Sequence, residues 1–563
     1  MTDTETKTGG EALVDALLAN GIDTIFGLPG VQLDPFFAAL FDSQDRLHVI
    51  NARHEQGVAY MAYGYAQSTG KTGVYSVVPG PGMLNTTAAL STAYSCNTPV
   101  LLVTGQIPSA LIGAKRGQLH ELPDQLGILE RLTKKALRMR HPAEAGETLN
   151  ALLYEMWSGR PGPVAIEAAP DILAITAPTR TTVAAEMPVA PPFDADKVAQ
   201  AARILGQAER PMILVGGGAF HASEEITALA RMLSAPVQSW MLGRGVVDDR
   251  TGLSVNRPAA GQWWRETDAV LCIGSRGEYE RATWGLDRDM SFIHVDIDPE
   301  ELTRAWTPDI GILGDARDVA AALLEAIPAE NRKRPGRIEE IAALRDRTRA
   351  YLDEKLGPQM AWLDAMRRAL PEDGFFVEEF TQVGYVSRIG FPAYFPRSIV
   401  TPGYQGTLGY GYATALGVQV AHPDKCVLSV SGDGGFLFTA NEIATAVHYN
   451  LPLVSVVFAD GAYGNVQRIQ RDLYGNRILA TNFTNPDFVK YAESFGADGR
   501  RARTPEELGV SLTEAFKARR PTVIEVPVGQ FPDPWPIFMA KPPKGQGRKA
   551  MPDYGAEAAN PFE

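Results

Sequence analysis

Two acids in this sequence sit where a carboxylate is costly. In VLSVSGDGGFLFTANE (427–442) a strand-like apolar run ends on Asp433, flanked by glycines, and passes into Phe436, Leu437 and Phe438, which read as a helix start. A buried charge without a partner is strongly unfavourable, so Asp433 calls for a counter-charge or a metal. Further on, LPLVSVVFADGAYGN (451–465) delivers a second strand-end acid, Asp460, again followed by glycine. Neighbouring parallel strands joined by one crossover present two such acids side by side. Hard oxygen ligands suit magnesium or calcium, and magnesium usually completes its shell with waters and ligand phosphates. Gly432, Gly434 and Gly435 leave backbone amides for a phosphate at a helix start. The chemistry this implies is a metal-bridged diphosphate. A third acid, Glu55 in NARHEQGVAYMAYGYAQ (51–67), stands at a strand end that leads into a helix of small and aromatic residues. Taken alone, it reads as an acid complementing a helix dipole.

The elements that must position these acids alternate between short β-rich runs and helical stretches, the pattern of α/β layers with parallel sheets. The 563 residues suit about three domains of roughly 100–200 residues each. DTIFGLPG (23–30), LHVINAR (47–53), GVYSVVPGPG (73–82) and PVLLVTGQ (99–106) each read as a strand entering a Gly/Pro turn. A second set is RPMILVGGGAF (210–220), DAVLCIGSR (268–276) and FIHVDIDP (292–299). A third is FFVEE (375–379), KCVLSVSGD (425–433), LPLVSVVFAD (451–460) and PTVIEVPV (521–528). The Pro-rich stretch 176–196 has no hydrophobic period and reads as a linker. The expected architecture is three consecutive parallel-sheet α/β domains over 1–175, 193–335 and 356–540. The tail 541–563 reads as disordered or as a lid over a site.

The formal net charge of −13 argues against nucleic acid or an anionic membrane as the main partner. Cys96, Cys272 and Cys426 are far apart and form no CxxC pair, as expected of reduced thiols in a cytoplasmic protein. No apolar run approaches the roughly 20 residues that span a bilayer, and the polar start has no leader pattern.

The GDG opening, the spacer and the polar residue before the closing turn resemble the signature of thiamine-diphosphate-dependent enzymes. The chain is similar to the acetohydroxyacid (acetolactate) synthase, 2-oxoacid decarboxylase and benzaldehyde lyase group. That resemblance implies a pyrimidine-binding, a central nucleotide-fold-like and a diphosphate-binding domain. It makes Asp433, Asp460 and the carbonyl of Ala462 ligands of Mg2+, with Asp460 standing where asparagine is usual. It makes Glu55 the acid that protonates the cofactor's aminopyrimidine. Leu408, in GYQGTLGYGYATALG (403–417) with Gly406, takes the place of the bulky residue beneath the bent cofactor. Further cofactor contacts follow the same resemblance: Pro29 and Gly30, Gly82 and Asn85 in PGPGMLN, Thr381 and Gln382, and Tyr463, Gly464 and Asn465 in DGAYGN. Active sites between the subunits of a homodimer or homotetramer are implied as well.

The middle block, VGGGAF, GSRGEYER, HVDIDPEE and GDARD, resembles the central domain of the synthases. Some relatives hold a flavin adenine dinucleotide there and many do not, so a flavin is the less favoured expectation. Arg281 lies where the synthases place an arginine near the substrate carboxylate; a surface salt bridge is the alternative. The reaction expected is decarboxylation of a 2-oxoacid with carboligation to a second carbonyl compound. The alternative is a decarboxylase or acyloin lyase that releases an aldehyde. Gln118 fits the synthase loop, and His120 is a candidate proton shuttle. The adjacent histidine pair of pyruvate decarboxylases is replaced by Gly113 and Ala114. Ile469 stands where the synthases carry a tryptophan that favours 2-oxobutyrate. A non-catalytic cofactor-binding protein is disfavoured by Glu55, Asp433 and Leu408. An NAD dehydrogenase is disfavoured because no GxGxxG follows the first strand.

Overall fold

The computed structural model describes residues 4–286, 289–304 and 307–538; the lid expected of 541–563 lies outside the described residues. By internal packing the chain forms two units. One takes the described residues up to Val189 with Pro358–Ser387 and Arg397–Phe531. The other takes Ala190–Gly357, Arg388–Pro396 and the described residues from Pro532 onward.

Three six-stranded parallel sheets result. The first contains Thr24–Gly27, His48–Asn51, Gly73–Val77, Val100–Gly105, Lys135–Met139 and Val164–Ala168. Numbered in chain order, these strands lie side by side as 2-1-3-4-6-5. The last sheet, from Phe375–Glu378, Ile399–Val400, Val427–Gly432, Val454–Ala459, Asp498–Arg501 and Thr522–Pro527, has the same order, 2-1-3-4-6-5. The middle sheet, in the other unit, runs 3-2-1-4-5-6 over Pro211–Val215, Val237–Ser239, Ser254–Val255, Ala269–Ile273, Ser291–Asp296 and Ile310–Leu313. Val100–Gly105 and Val427–Gly432 are buried along their whole length, as parallel strands covered by helices on both faces must be.

Several strands that the sequence reading did not single out are edge, charged or very short, although the interior Val164–Ala168 and Val237–Ser239 escaped as well. Lys135–Met139 (KALRM) and Asp498–Arg501 (DGRR) lie at sheet edges, with Lys135 and Arg501 exposed. Ser254–Val255 and Ile399–Val400 are two residues long. The linker expected over 176–196 is corrected at its start: Thr176–Arg180 pairs antiparallel with Thr4–Thr8. Its alternate residues are buried, and a two-stranded ribbon tolerates Pro178.

In the first unit the Glu55–Thr69 helix lies against the Gly411–Ala421 helix, backbone to backbone. A Cβ at Gly64 would overlap Thr414 O, and one at Gly417 would overlap Met61 O. Helix propensity alone makes Gly417→Ala a gain of about 1 kcal/mol. The close crossing reverses the sign, because the atom in the way is backbone and cannot swing aside. We expect a net loss of about 2 kcal/mol, read as a lower denaturant midpoint; an unchanged or higher midpoint contradicts the crossing.

Candidate active site

In a doubly wound sheet the ligand crevice lies outside the carboxyl ends of the strands, where the strand order reverses. In the last sheet that point falls between Phe375–Glu378 and Val427–Gly432. Asp433 is the first residue beyond the second of these strands and opens the helix Asp433–Thr439. It is 1% exposed, so the burial expected from the sequence holds, although Leu437 and Phe438 lie exposed. Four donors converge on its carboxylate. Oδ2 accepts from Asp460 N at 3.0 Å, Gly461 N at 2.7 Å and Asn485 Nδ2 at 2.6 Å, and Oδ1 accepts from Gly434 N at 2.8 Å. The expectation that Gly434 keeps its amide free for a phosphate is thereby corrected: the adjacent acid uses it.

Asp460 ends the neighbouring strand, as its spacing implied. Its Oδ1 accepts from Ala462 N at 3.2 Å and its Oδ2 from Gln382 Nε2 at 2.9 Å. Burial, followed by the charge of Asp433, pushes the Asp460 carboxyl above its ordinary value. Each of these two acids thus raises the cost of charging the other in a partly dry site. The rest of the Gln382 side chain is committed to the C-terminal strand exit: Nε2 also donates to Gly529 O at 3.0 Å, and Oε1 accepts from Phe531 N at 2.7 Å.

The other expected residues of this end collect around the same turn. Thr381 lies beside Gly432, and Phe380 beside Gly406. The Tyr463 ring covers Gly434, Gly464 sits next to Asp460 Oδ2, and Asn465 Oδ1 accepts from Arg468. Leu408 packs on Gly435 together with Glu379, a residue that sequence reasoning did not single out. The Glu379 carboxyl accepts from Gly409 N and from Ser431 Oγ (2.7 Å), so it ties the Leu408 loop to the strand that ends on Asp433.

Burial pushes Glu379 from 4.5 up to about 7, while the Ser431 hydroxyl and the Gly409 and Gly411 amides pull it down. The folded chain thus holds this proton more tightly than the unfolded one. Its contribution to stability is complete below pH 4.5 and is lost as the pH rises towards 7. That loss amounts to about 3 kcal/mol. Glu379→Gln should remove this pH dependence, so the stability difference between variant and parent grows across that window and levels off above it. Denaturant titrations from pH 4.5 to 8 (~4 points) test this; a pH-independent difference rules it out.

At the first sheet the reversal lies between Thr24–Gly27 and Gly73–Val77. Glu55 opens the helix after His48–Asn51 and is half-buried. Its Oε2 accepts from Asn85 Nδ2 at 3.0 Å, and a Cβ on Gly82 would lie 3.5 Å from its Oε1. Gly30 packs on Val78, the residue that also flanks Gly82, and Pro29 precedes it exposed. The 118–120 loop lies over the same turn. His120 O would meet a Cβ on Gly80, and His120 Nδ1 is 3.2 Å from Gln32 Oε1. Gln118 N donates to Glu121 Oε2. A buried network fixes the turn from behind: Gln125 Oε1 accepts from Gly80 N, and Gln125 Nε2 donates to Glu167, which pairs with Arg138.

Three family profiles match the chain in order. The thiamine pyrophosphate enzyme N-terminal TPP binding domain covers 7–128, the central domain 198–323 and the C-terminal TPP binding domain 382–526. The chain belongs to the thiamine pyrophosphate enzyme family. Relatives of this thiamine pyrophosphate enzyme match along nearly its whole length. A "Probable acetolactate synthase large subunit" of Methanocaldococcus jannaschii is 33% identical over 96% of this chain and 94% of its own. A "Probable 2-ketoarginine decarboxylase" of Pseudomonas aeruginosa is 33% identical over 93% and 94%. The acetolactate synthase large subunit of Corynebacterium glutamicum is 30% identical over 95% and 89%.

The residues present fit the cofactor's charged end. Asn485 Oδ1 is buried beside Asp433 without a hydrogen-bond partner, and an orphaned buried acceptor calls for a donor or a cation. The lone-pair groups here, the Asp433 and Asp460 carboxylates and this amide oxygen, are the hard oxygens such a cation prefers. Among the described residues no group of three or more His, Cys, Asp or Glu is arranged for a metal. A cation bound by these two acids would take its remaining ligands from neutral oxygens and phosphate. Asn485 belongs to TNFTNPDF, which carries no motif, and only the fold brings it to Asp433. In the middle unit the Gly216 and Gly218 amides donate to Ile273 O and Gly274 O, so neither is open to a phosphate. Arg281 is 2% exposed, with its guanidinium 4.3 Å from the Phe292 ring centroid; the alternative of a surface salt bridge is corrected.

Proposed function

We propose that this enzyme uses thiamine diphosphate and Mg2+ to decarboxylate a 2-oxoacid and to join the retained carbon unit to a second carbonyl compound. The observation that carries this reading is the pair of sheets threaded in the same order, with Asp433 under four donors at one reversal point and Glu55 beside the other. Asp433, Asp460 and the Ala462 carbonyl hold the cation, and the Asn485 amide oxygen is a further oxygen beside it. Thr381, Gly432 and Gly435 line the diphosphate side, with Tyr463, Gly464 and Asn465 beyond. Leu408 supports the cofactor from below, and Glu55 holds a proton against its far ring. Bound thiamine diphosphate supplies the electron sink that lets carbon dioxide leave. Gln118 and His120 border the substrate side of the 79–82 turn.

Sites completed between the subunits of a dimer or tetramer are part of this proposal. The three free cysteines favour a reducing, cytoplasmic setting, and among the described residues no helix is long and apolar enough to cross a membrane. The identity shared with the 2-ketoarginine decarboxylase relative favours a second reading, release of an aldehyde. Incubation with Mg2+, thiamine diphosphate and a panel of 2-oxoacids and aldehydes, read by mass spectrometry, tests both. Hydroxyketone products support carboligation and free aldehyde supports the second reading. No turnover of any 2-oxoacid sinks the proposal.

A further inference from the structure

A capping box closes a helix start in two halves: the N-cap side chain accepts an amide of the first turn, and a glutamate at N3 reaches back to the N-cap amide. The Glu55–Thr69 helix has the first half, since N-cap His54 accepts through Nδ1 from Gln56 N at 3.1 Å. Position N3 is Gly57, which has no side chain for the second. Glu442 supplies it from 388 residues away along the chain. Its Oε1 accepts from His54 N at 3.0 Å, and its two oxygens accept from Arg53 N at 3.1 and 3.0 Å. A Cβ on Gly57 would lie 2.6 Å from Glu442 Oε1. The carboxylate thus occupies the space that a local N3 side chain would fill.

Glu442 is fully buried, and Thr445 Oγ1 donates to its Oε2 at 2.6 Å. Burial pushes its carboxyl up, and the Thr445 hydroxyl and the Arg53 and His54 amides pull it back. An acid this dry is costly unless its bonds are needed, and its backbone donors are the two residues that immediately precede Glu55.

We propose that Glu442 is a positioning residue that fixes the first turn of the Glu55 helix and so sets where the Glu55 carboxyl meets the cofactor. The inference rests on the role proposed above for Glu55. Glu442→Gln keeps the shape but turns one acceptor into a donor; Gly57→Ala presses on the same carboxylate from the opposite side.

In the cofactor-free chain, both variants should raise hydrogen–deuterium exchange of the 53–56 amides about 10-fold, with the 454–461 strand end unchanged. With Mg2+ and thiamine diphosphate, calorimetric affinity should stay within about 3-fold while kcat falls about 10–100-fold at unchanged KM, as a small misplacement predicts. Exchange of the cofactor's acidic ring proton, followed by NMR, should slow in step with kcat. Unaltered exchange at 53–56 in both variants overturns the inference, as does a fall in cofactor affinity that matches the fall in kcat. Glu55→Gln is measured alongside. If it leaves ring-proton exchange fast, the role of Glu55 fails and takes this inference with it. If it slows exchange while the Glu442 and Gly57 variants do not, the inference alone fails.

Discussion

Glu55→Gln is expected to cut turnover by roughly 10²–10⁴-fold, the range lost when a positioned acid–base group is removed. Cofactor affinity should change little, because the proposed ligands of the diphosphate and cation belong to the last sheet. The substitution is nearly isosteric, and the glutamine amide oxygen can take over the bond that Asn85 Nδ2 donates to Glu55 Oε2. What would disappear is the carboxyl proton that the proposed role shares with the cofactor ring, which an amide cannot donate and take back at neutral pH. Steady-state kinetics with any accepted 2-oxoacid, paired with calorimetry on the same variant, separates the two effects. Turnover near that of the parent would remove Glu55 from the chemistry, and a loss confined to affinity would make it a binding residue only.

Asp433→Ala should have the larger effect on loading. Removing the carboxylate takes away a proposed ligand and strands Asp460 N, Gly461 N and Asn485 Nδ2, all of which now donate to Oδ2. Loss of an outer partner of a metal ligand costs about 10–100-fold in metal affinity, so loss of the ligand itself should exceed that. Unpaired buried donors add about 1–3 kcal/mol of instability each, which lowers the unfolding midpoint of the empty chain as well. Asp433→Asn separates these effects, since its amide oxygen can accept one or two of the bonds while the charge is gone. Calorimetry with Mg2+ and thiamine diphosphate is the check; parental affinity in the asparagine variant would refute the metal assignment.

Much of this was legible in the residues. The strand ends with Gly and Pro turns mark the crevice side of each sheet, because apolar β-rich runs and their punctuation are local signals. Asp433 and Asp460 emerge on adjacent strands as their single-crossover spacing requires. Among the elements that escaped, the charged or two-residue edge strands lack a local signal and are specified by the neighbour they pair with, whereas the buried interior strand Val164–Ala168 has one that was not used. The same holds for Asn485 and Glu442, whose importance lies in partners far away in the chain. Glu379 was hidden for another reason. In FFVEEF nothing tells which of two adjacent glutamates turns inward under three glycines, and both are buried. Gly434 shows the opposite failure, in which a plausible phosphate-binding amide is consumed by its own neighbour.

The matching 2-1-3-4-6-5 threading of the outer sheets gives each sheet a strand-order reversal at the same place, and so a crevice of its own. Two like crevices that differ in the acid beside them can each serve one end of a bipartite ligand. An aromatic head and a charged tail need different chemistry, and this doubling lets each be met without altering the framework of the other.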